Sequence, residues 1–145
     1  KMVDDLVISP SLLAADWSDM RQEIHKCLDA KVPHLHVDVF DGVFLDSPHA
    51  LTFGPQMVSA LRKSYSSDIC FLDVHLCVDR PQRYVEAMAQ AGADRIIFQI
   101  EAFDTIPQAI HMAQSIHNHN NRKMQCGVSI NPSTPIQTIL PLLPY

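Results

Sequence analysis

The sequence predicts an α/β domain made of repeated βα units with parallel strands. Short runs rich in β-branched residues alternate with segments of helical periodicity along the chain. Five such runs are candidate strands. The gaps between their centres are 30, 37, 24 and 30 residues, counted along Val7, Val37, Val74, Phe98 and Val128. Gaps of this length hold one crossover helix each, and a crossover helix makes consecutive strands parallel.

The predicted elements have recognisable boundaries. The strands cover residues 6–8, 35–39, 71–78, 96–100 and 126–130. Asp16 is the expected N-cap of the first helix, and Gly92 is the expected end of the third. The second, third and fifth helices begin at prolines, which suit the first helical turn: Pro55, Pro81 and Pro135. Pro141 interrupts or ends the fifth helix. The fourth helix carries an apolar stripe of Ile106, Ile110, Ala113 and Ile116.

One connection in this pattern is unusually long. Residues 41–54 show no regular periodicity and include Gly42, Pro48 and His49. Long loops in compact domains are usually functional or disordered. This loop directly follows the most polar of the predicted strands, which favours a role at a site.

Composition excludes several classes of protein. The 145 residues suit one domain or part of one, with a net charge of −5. The basic residues are scattered, with no run longer than Arg122-Lys123, so a nucleic-acid surface is not expected. No apolar run approaches the roughly 20 residues that span a bilayer, and residues 1–5 do not resemble a signal peptide. The four cysteines form no Cys-x-x-Cys pair, which favours free thiols.

Two neighbouring strands carry ionisable side chains on one face. Strand side chains alternate between faces, so His34, His36 and Asp38 share one face of the second strand. Asp73 and His75 share one face of the third strand in the same way. A strand covered by crossover helices is normally apolar on both faces, so this arrangement needs a reason.

Two explanations are open on spacing alone. In the first, His36 and Asp38 bind one ion from the same strand, and His75 approaches it from the next strand. Imidazole and carboxylate ligands together suit Zn²⁺, Fe²⁺, Mn²⁺ or Co²⁺. In the second, the same residues form a buried hydrogen-bonded network without a metal. His34 is expected to be structural in either case.

Several motifs occur together, and their combination is more specific than any one of them. They are ISPSLLAAD (residues 8–16), HLHVDVFDG (34–42), LTFGP (51–55), LDVHL (72–76), AGAD (91–94) and NPSTP (131–135). With these motifs in this order, the chain resembles the ribulose-phosphate 3-epimerase family along its whole length. The resemblance favours the metal explanation over the metal-free network.

The resemblance implies a fold and a set of roles. The fold is a (β/α)₈ TIM barrel of the ribulose-phosphate-binding type, present here as an incomplete barrel with strands one to five. Residues 1–145 are then the N-terminal part of a single TIM-barrel domain. Ser11, His36 and His75 are implied to bind substrate. His36, Asp38 and His75 are implied to bind one divalent transition metal ion (Zn, Fe, Mn or Co), and Asp38 to be one of two catalytic acid/base residues.

The implied activity is a metal-dependent epimerisation at C3 of a ketose phosphate. It interconverts ribulose 5-phosphate and xylulose 5-phosphate by proton abstraction through an enediolate. The alternatives are a hexulose-phosphate 3-epimerase of the allulose-6-phosphate type and a catalytically silent regulatory relative. The implied partner is a small sugar phosphate, without nucleic acid or membrane, and the implied assembly is a homo-oligomer. The implied location is the cytoplasm, or a plastid if a transit peptide has been removed.

The chain departs from the family pattern at three places. Residues 43–50 replace the usual Phe-Val-Pro-Asn stretch and are longer. Gln99 stands where the family usually has histidine, and Cys77 stands where it usually has methionine. The resemblance places the phosphate-binding loops and the second catalytic aspartate on later strands. We therefore expect residues 1–145 alone to be inactive as an epimerase.

Overall fold

A parallel sheet is the centre of the structure, a computed structural model that describes residues 6–119 and 124–145. Within these residues the sheet has four strands in the order β1-β2-β3-β4. They are β1 (His34–Phe40), β2 (Phe71–Cys77), β3 (Arg95–Gln99) and β4 (Gln125–Ser129). This confirms the predicted parallel α/β fold, in the form of an incomplete barrel. The pair Arg122-Lys123 lies outside the described residues.

Helices alternate with the strands, as the periodicity predicted. They are α1 (Met20–Asp29), α2 (Pro55–Ser64), α3 (Val85–Ala91) and α4 (Ile106–His117). Asp16 caps a short 3-10 helix, Trp17–Asp19, that leads into α1, and Pro81 begins another, Pro81–Arg83, ahead of α3. Gly92 caps α3 at a φ of +100°, which favours glycine. No helix in the described part of the chain is both long and apolar enough to cross a membrane.

The predicted strand at residues 6–8 does not form. Pairing with β1 is limited to one bridge, between Ser11 and His36. In that parallel register residues 6–8 lie opposite residues 31–33, where the chain is still turning toward β1 and Lys31 has a φ of +61°. A turning segment does not present the row of N–H and C=O groups that a strand needs. The side chains of residues 6–8 are accordingly 58–72% exposed.

The predicted fifth helix forms as a 3-10 helix, Ile136–Leu142, rather than an α-helix. Pro135 precedes it and Pro141 lies inside it. Proline has no N–H to donate, and in an α-helix its ring would clash with the carbonyl group of Gln137, four residues earlier. The hydrogen bonds here join residues three apart instead, because the N–H groups of Thr138 and Leu143 donate to the carbonyl groups of Pro135 and Leu140.

The face of the sheet that packs against the helices forms the hydrophobic core. Its residues alternate along the strands and are at most 3% exposed: Leu35, Val37, Val39, Leu72, Val74 and Leu76. The helices contribute buried side chains to the same cluster, among them Ile24, Val58, Met88, Met112 and Ile116. Fully burying one such side chain contributes about 1.5–3 kcal/mol. Because this face supplies the hydrophobic stabilisation, the opposite face can carry polar groups.

The opposite face is arranged in layers that cross the strands. The register places four polar side chains next to one another in one layer: His36, Asp73, Arg95 and Gln125. The next layer toward the C-terminal ends of the strands contains Asp38, His75, Ile97 and Gly127. The polar residues of the two layers meet at β1 and β2, which is where the candidate site lies.

Candidate metal centre and active site

The four residues predicted to form the site are close together in the structure. His36, Asp38 and His75 each provide a nitrogen or oxygen atom that lies within 4.8 Å of the other two. His75 is directly opposite Asp38 in the sheet, and His36 precedes Asp38 by two residues on the same face. Side-chain alternation and parallel pairing therefore produce the cluster that the spacing predicted.

The Asp38 carboxylate is the centre of this cluster. Its Oδ1 lies 3.1 Å from His36 Nε2 and 3.2 Å from His75 Nδ1. The Ser11 hydroxyl group donates a hydrogen bond of 2.5 Å to Oδ2. Two imidazole nitrogens that face one carboxylate oxygen form a donor set that fits Zn²⁺, Fe²⁺, Mn²⁺ or Co²⁺. His36, Asp38 and His75 could therefore hold one such ion.

The cluster changes the proton affinity of its members. Hydrogen bonds to Asp38 and to Asp73 raise the pKa of His36 to about 9. Burial lowers the pKa of His75, but the hydrogen bonds and charge interactions with Asp38 and Cys77 together outweigh burial and raise this pKa to about 9. Burial would raise the pKa of Asp38, yet hydrogen bonds from both histidines and from Ser11 hold it well below its usual range. Without a metal, the cluster is thus an ionised carboxylate between two imidazolium groups near neutral pH.

We expect this cluster to stabilise the metal-free, full-length protein most in mildly acidic solution. The folded pKa of His36 and His75, about 9, exceeds the ordinary value of 6.5. Their contribution is therefore complete below pH 6.5 and is lost as the pH rises through 9. The lowered pKa of Asp38 makes its contribution present above pH 3.8 and lost as the pH falls further.

The measurement is the free energy of unfolding of the wild type and of His75→Gln at about pH 6 and about pH 9. The difference between the two proteins should be larger at the lower pH. His111→Gln, on the exposed side of α4, is the control and should show no such pH-dependent difference. A His75→Gln effect that is equal at both pH values would contradict the assignment.

The long loop after β1 is tied to the ends of the strands. The Asp41 carboxylate accepts hydrogen bonds from two N–H groups of its own loop and, at 2.9 Å, from the N–H of Asp79 just beyond β2. The Thr52 hydroxyl group donates to the Asp38 carbonyl at 2.6 Å and accepts from the Phe40 N–H at 3.0 Å. The hydrogen bonds of the loop therefore fix the backbone around Asp38, the candidate catalytic residue. The sequence predicted a role for this loop at the site but not the bonds from Asp79 to Asp41 and from Thr52 to Asp38, which join residues 38 and 14 positions apart.

Three further residues border the cluster, and the spacing had given them no role. Asp73 Oδ2 lies 2.9 Å from His36 Nδ1. Cys77 Sγ lies 3.4 Å from His75 Nε2, and the Gln99 side-chain amide lies 3.8 Å from the same sulfur. The two single positions at which the chain departs from the family pattern are thus in contact with each other.

The comparison with known proteins covers nearly the whole chain. A profile described as the Ribulose-phosphate 3 epimerase family matches residues 7–145. The chain belongs to this family. Membership confirms the resemblance drawn from the motifs, and with it the incomplete barrel that the motifs implied.

The curated relatives that the chain matches are longer than it is. The Schizosaccharomyces pombe protein named ribulose-phosphate 3-epimerase is 36% identical over 136 residues, which cover 94% of this chain and 56% of that protein. Proteins of the same name from Rhodobacter capsulatus and Synechocystis are 37% and 35% identical. Those matches cover 91% and 99% of this chain, but 53% and 58% of the relatives. The chain thus spans about half the length of the curated relatives it matches.

Proposed function

We propose that this chain carries the metal-binding part of a ribulose-phosphate 3-epimerase site, which interconverts ribulose 5-phosphate and xylulose 5-phosphate. The observation that supports the proposal is the convergence of His36, Asp38 and His75, with Ser11 bonded to Asp38, in a member of this family. The relatives described above carry the name of that activity.

Asp38 is the proposed base. The C3 proton of a ketose phosphate is acidic because the charge left by its removal spreads onto the C2 carbonyl oxygen. The hydrogen bonds that lower the pKa of Asp38 keep it ionised and ready to accept that proton. The same low pKa makes it a weak base, so the substrate proton must become more acidic for the transfer to occur. Ser11, 2.5 Å from Oδ2, holds the carboxylate in one orientation, and we propose that it also contacts the substrate.

In this proposal, a metal ion held by the cluster would make the C3 proton of the substrate more acidic. His36, Asp38 and His75 would hold the ion, since their nitrogen and oxygen donors are of the right type and already close together. When bound, a divalent cation supplies Lewis-acid stabilisation for negative charge that develops on substrate oxygens. The two histidines bind a metal only as neutral imidazoles, so each must release its proton first. We propose that His36 and His75 also contact the substrate, as the family resemblance implies.

Inversion at C3 needs a second acid on the opposite face of the substrate. A proton returned by Asp38 itself would restore the starting configuration. We propose that another part of the protein provides this acid, together with the phosphate-binding loops that the resemblance implies. On this basis residues 1–145 alone are expected to show no epimerase turnover.

The test is an assay of the full-length protein with ribulose 5-phosphate and with allulose 6-phosphate, combined with metal analysis. We expect turnover of the pentulose phosphate, and loss of activity on chelation that is reversed by adding a divalent transition metal. Turnover of the hexulose phosphate alone would contradict the proposed substrate. Full activity in a metal-free preparation would contradict the role of the metal. Failure to exchange the C3 proton with solvent would support the catalytically silent alternative.

The assembly and the location of the protein are part of the same proposal. We expect a homo-oligomer in the cytoplasm, or in a plastid if a transit peptide has been removed, that acts on a small anionic sugar phosphate. Light scattering on the full-length protein during size-exclusion chromatography tests the assembly, and a monomer at assay concentration would contradict it.

A further inference from the structure

We propose that Asp73 is a positioning residue for the metal centre. It fixes the His36 imidazole with the proton on Nδ1, so that Nε2 remains as the metal-binding atom. The inference rests on the proposed function, because it concerns the same metal site. It adds a residue to which neither the spacing nor the family resemblance assigned a role.

The contact between Asp73 and His36 is direct and is set by the sheet. The two residues are opposite each other in the register of β1 and β2, and Asp73 Oδ2 lies 2.9 Å from His36 Nδ1. His36 Nε2, the other ring nitrogen, lies 3.1 Å from Asp38 Oδ1. A carboxylate only accepts hydrogen bonds, so in the metal-free cluster both ring nitrogens carry protons toward their carboxylates. When His36 releases one proton to bind the ion, the proton toward Asp73 is kept, because Asp38 is itself a proposed ligand of that ion. In the neutral imidazole the lone pair is then on Nε2, where metal binding needs it.

The burial of Asp73 is difficult to explain by folding alone. Asp73 as a whole residue is only 4% exposed. The Arg95 guanidinium is farther from Asp73 than the His36 ring is: Arg95 Nη1 lies 3.4 Å from Oδ1, whereas His36 Nδ1 lies 2.9 Å from Oδ2. Buried ion pairs can often be replaced by apolar residues of similar volume without loss of stability, and the interior layers of such barrels are mostly apolar. A polar layer at this position is better explained by the need to orient His36.

The rest of the layer holds Asp73 in place. Arg95 Nε donates to Gln125 Oε1 at 3.0 Å, and the guanidinium carbon lies 5.1 Å from the ring centroid of Phe71. Arg95 is thereby fixed on the side of Asp73 that faces away from His36. The Asp73 carboxylate is bounded by a cation on one oxygen and an imidazole on the other, so the ring of His36 cannot turn without losing its hydrogen bond.

The test measures zinc affinity and metal-free stability separately in the full-length protein. Asp73→Asn keeps the shape of the side chain but removes its charge and part of its acceptor capacity. We expect the dissociation constant for Zn²⁺, measured by competition with a chelator, to rise about 10–100-fold, the range typical for losing the partner of a ligating histidine. Asp68→Asn is the matched control, since it makes the same chemical change at an exposed position outside this layer. Its dissociation constant should rise less than about threefold.

Two outcomes would overturn the inference. One is an Asp73→Asn protein that loses metal-free stability but keeps the zinc affinity of the wild type, because Asp73 would then be a structural residue only. The other does not depend on the variant being folded. In the zinc-loaded wild type with ¹⁵N-labelled histidine, the inference requires a proton on His36 Nδ1, and a proton on Nε2 would contradict it. A wild type that binds no zinc would overturn the proposed metal site itself, and this inference with it.

Discussion

Asp38→Asn in the full-length protein should lower kcat/KM for ribulose 5-phosphate by at least about 10³-fold. General base catalysis alone is worth about 10²–10⁴-fold, and the substitution also removes the only charged ligand of the proposed three. Asp38 Oδ1 lies 3.1 and 3.2 Å from nitrogens of His36 and His75, so a neutral amide in its place weakens both contacts. The zinc content after dialysis should therefore fall together with the activity.

The loss of the base and the loss of the metal can be separated. Asp68→Asn makes the same chemical change on the exposed surface and should leave both activity and zinc content unchanged. Assaying Asp38→Asn at saturating metal restores occupancy of the site without restoring the base, so turnover should stay low. Recovery of more than about a tenth of the wild-type activity under that condition would show that Asp38 is a ligand but not the base.

Arg62→Met should lower the free energy of unfolding of the full-length protein by about 2–4 kcal/mol. Removing one partner of a fully buried ion pair costs about 3–5 kcal/mol. The loss expected for Arg62→Met is smaller because this ion pair is partly accessible to solvent. Arg62 forms an ion pair with Asp94, and its side chain is 16% exposed. Its guanidinium also donates, at 2.9–3.1 Å, to the carbonyl groups of Gly92, Cys70 and Tyr65.

Arg62 joins the end of α2 to the beginnings of two strands. Asp94, just before β3, also accepts the N–H of Leu72 in β2 at 2.7 Å, so loss of the guanidinium loosens both strands. Lys63→Met removes the neighbouring cation from the exposed side of the helix and should change the free energy of unfolding by less than about 0.5 kcal/mol. The measurement is urea unfolding of both variants. An Arg62→Met effect as small as that of Lys63→Met would contradict the role of this arginine.

The elements that were predicted correctly are those with a local physical cause. Pro55 begins α2 because its ring fixes φ near the helical value, and Gly92 ends α3 because glycine accepts a positive φ. Residues 6–8 have the composition of a strand, but a strand also needs an extended neighbour, and composition does not encode one. The 3-10 geometry of Ile136–Leu142 follows from Pro141, although the sequence indicated only an interruption there.

The sequence by itself determined the parallel α/β fold and the cluster of His36, Asp38 and His75. It could do so because alternation along a strand decides which side chains share a face, and βα spacing makes consecutive strands neighbours. Only the tertiary structure decided that Asp73, 37 residues from His36 in the chain, bonds to its second ring nitrogen. It also decided that Arg62 pairs with Asp94, 32 residues away. Such contacts depend on strand register and side-chain direction, which packing of the whole core sets and no local pattern contains.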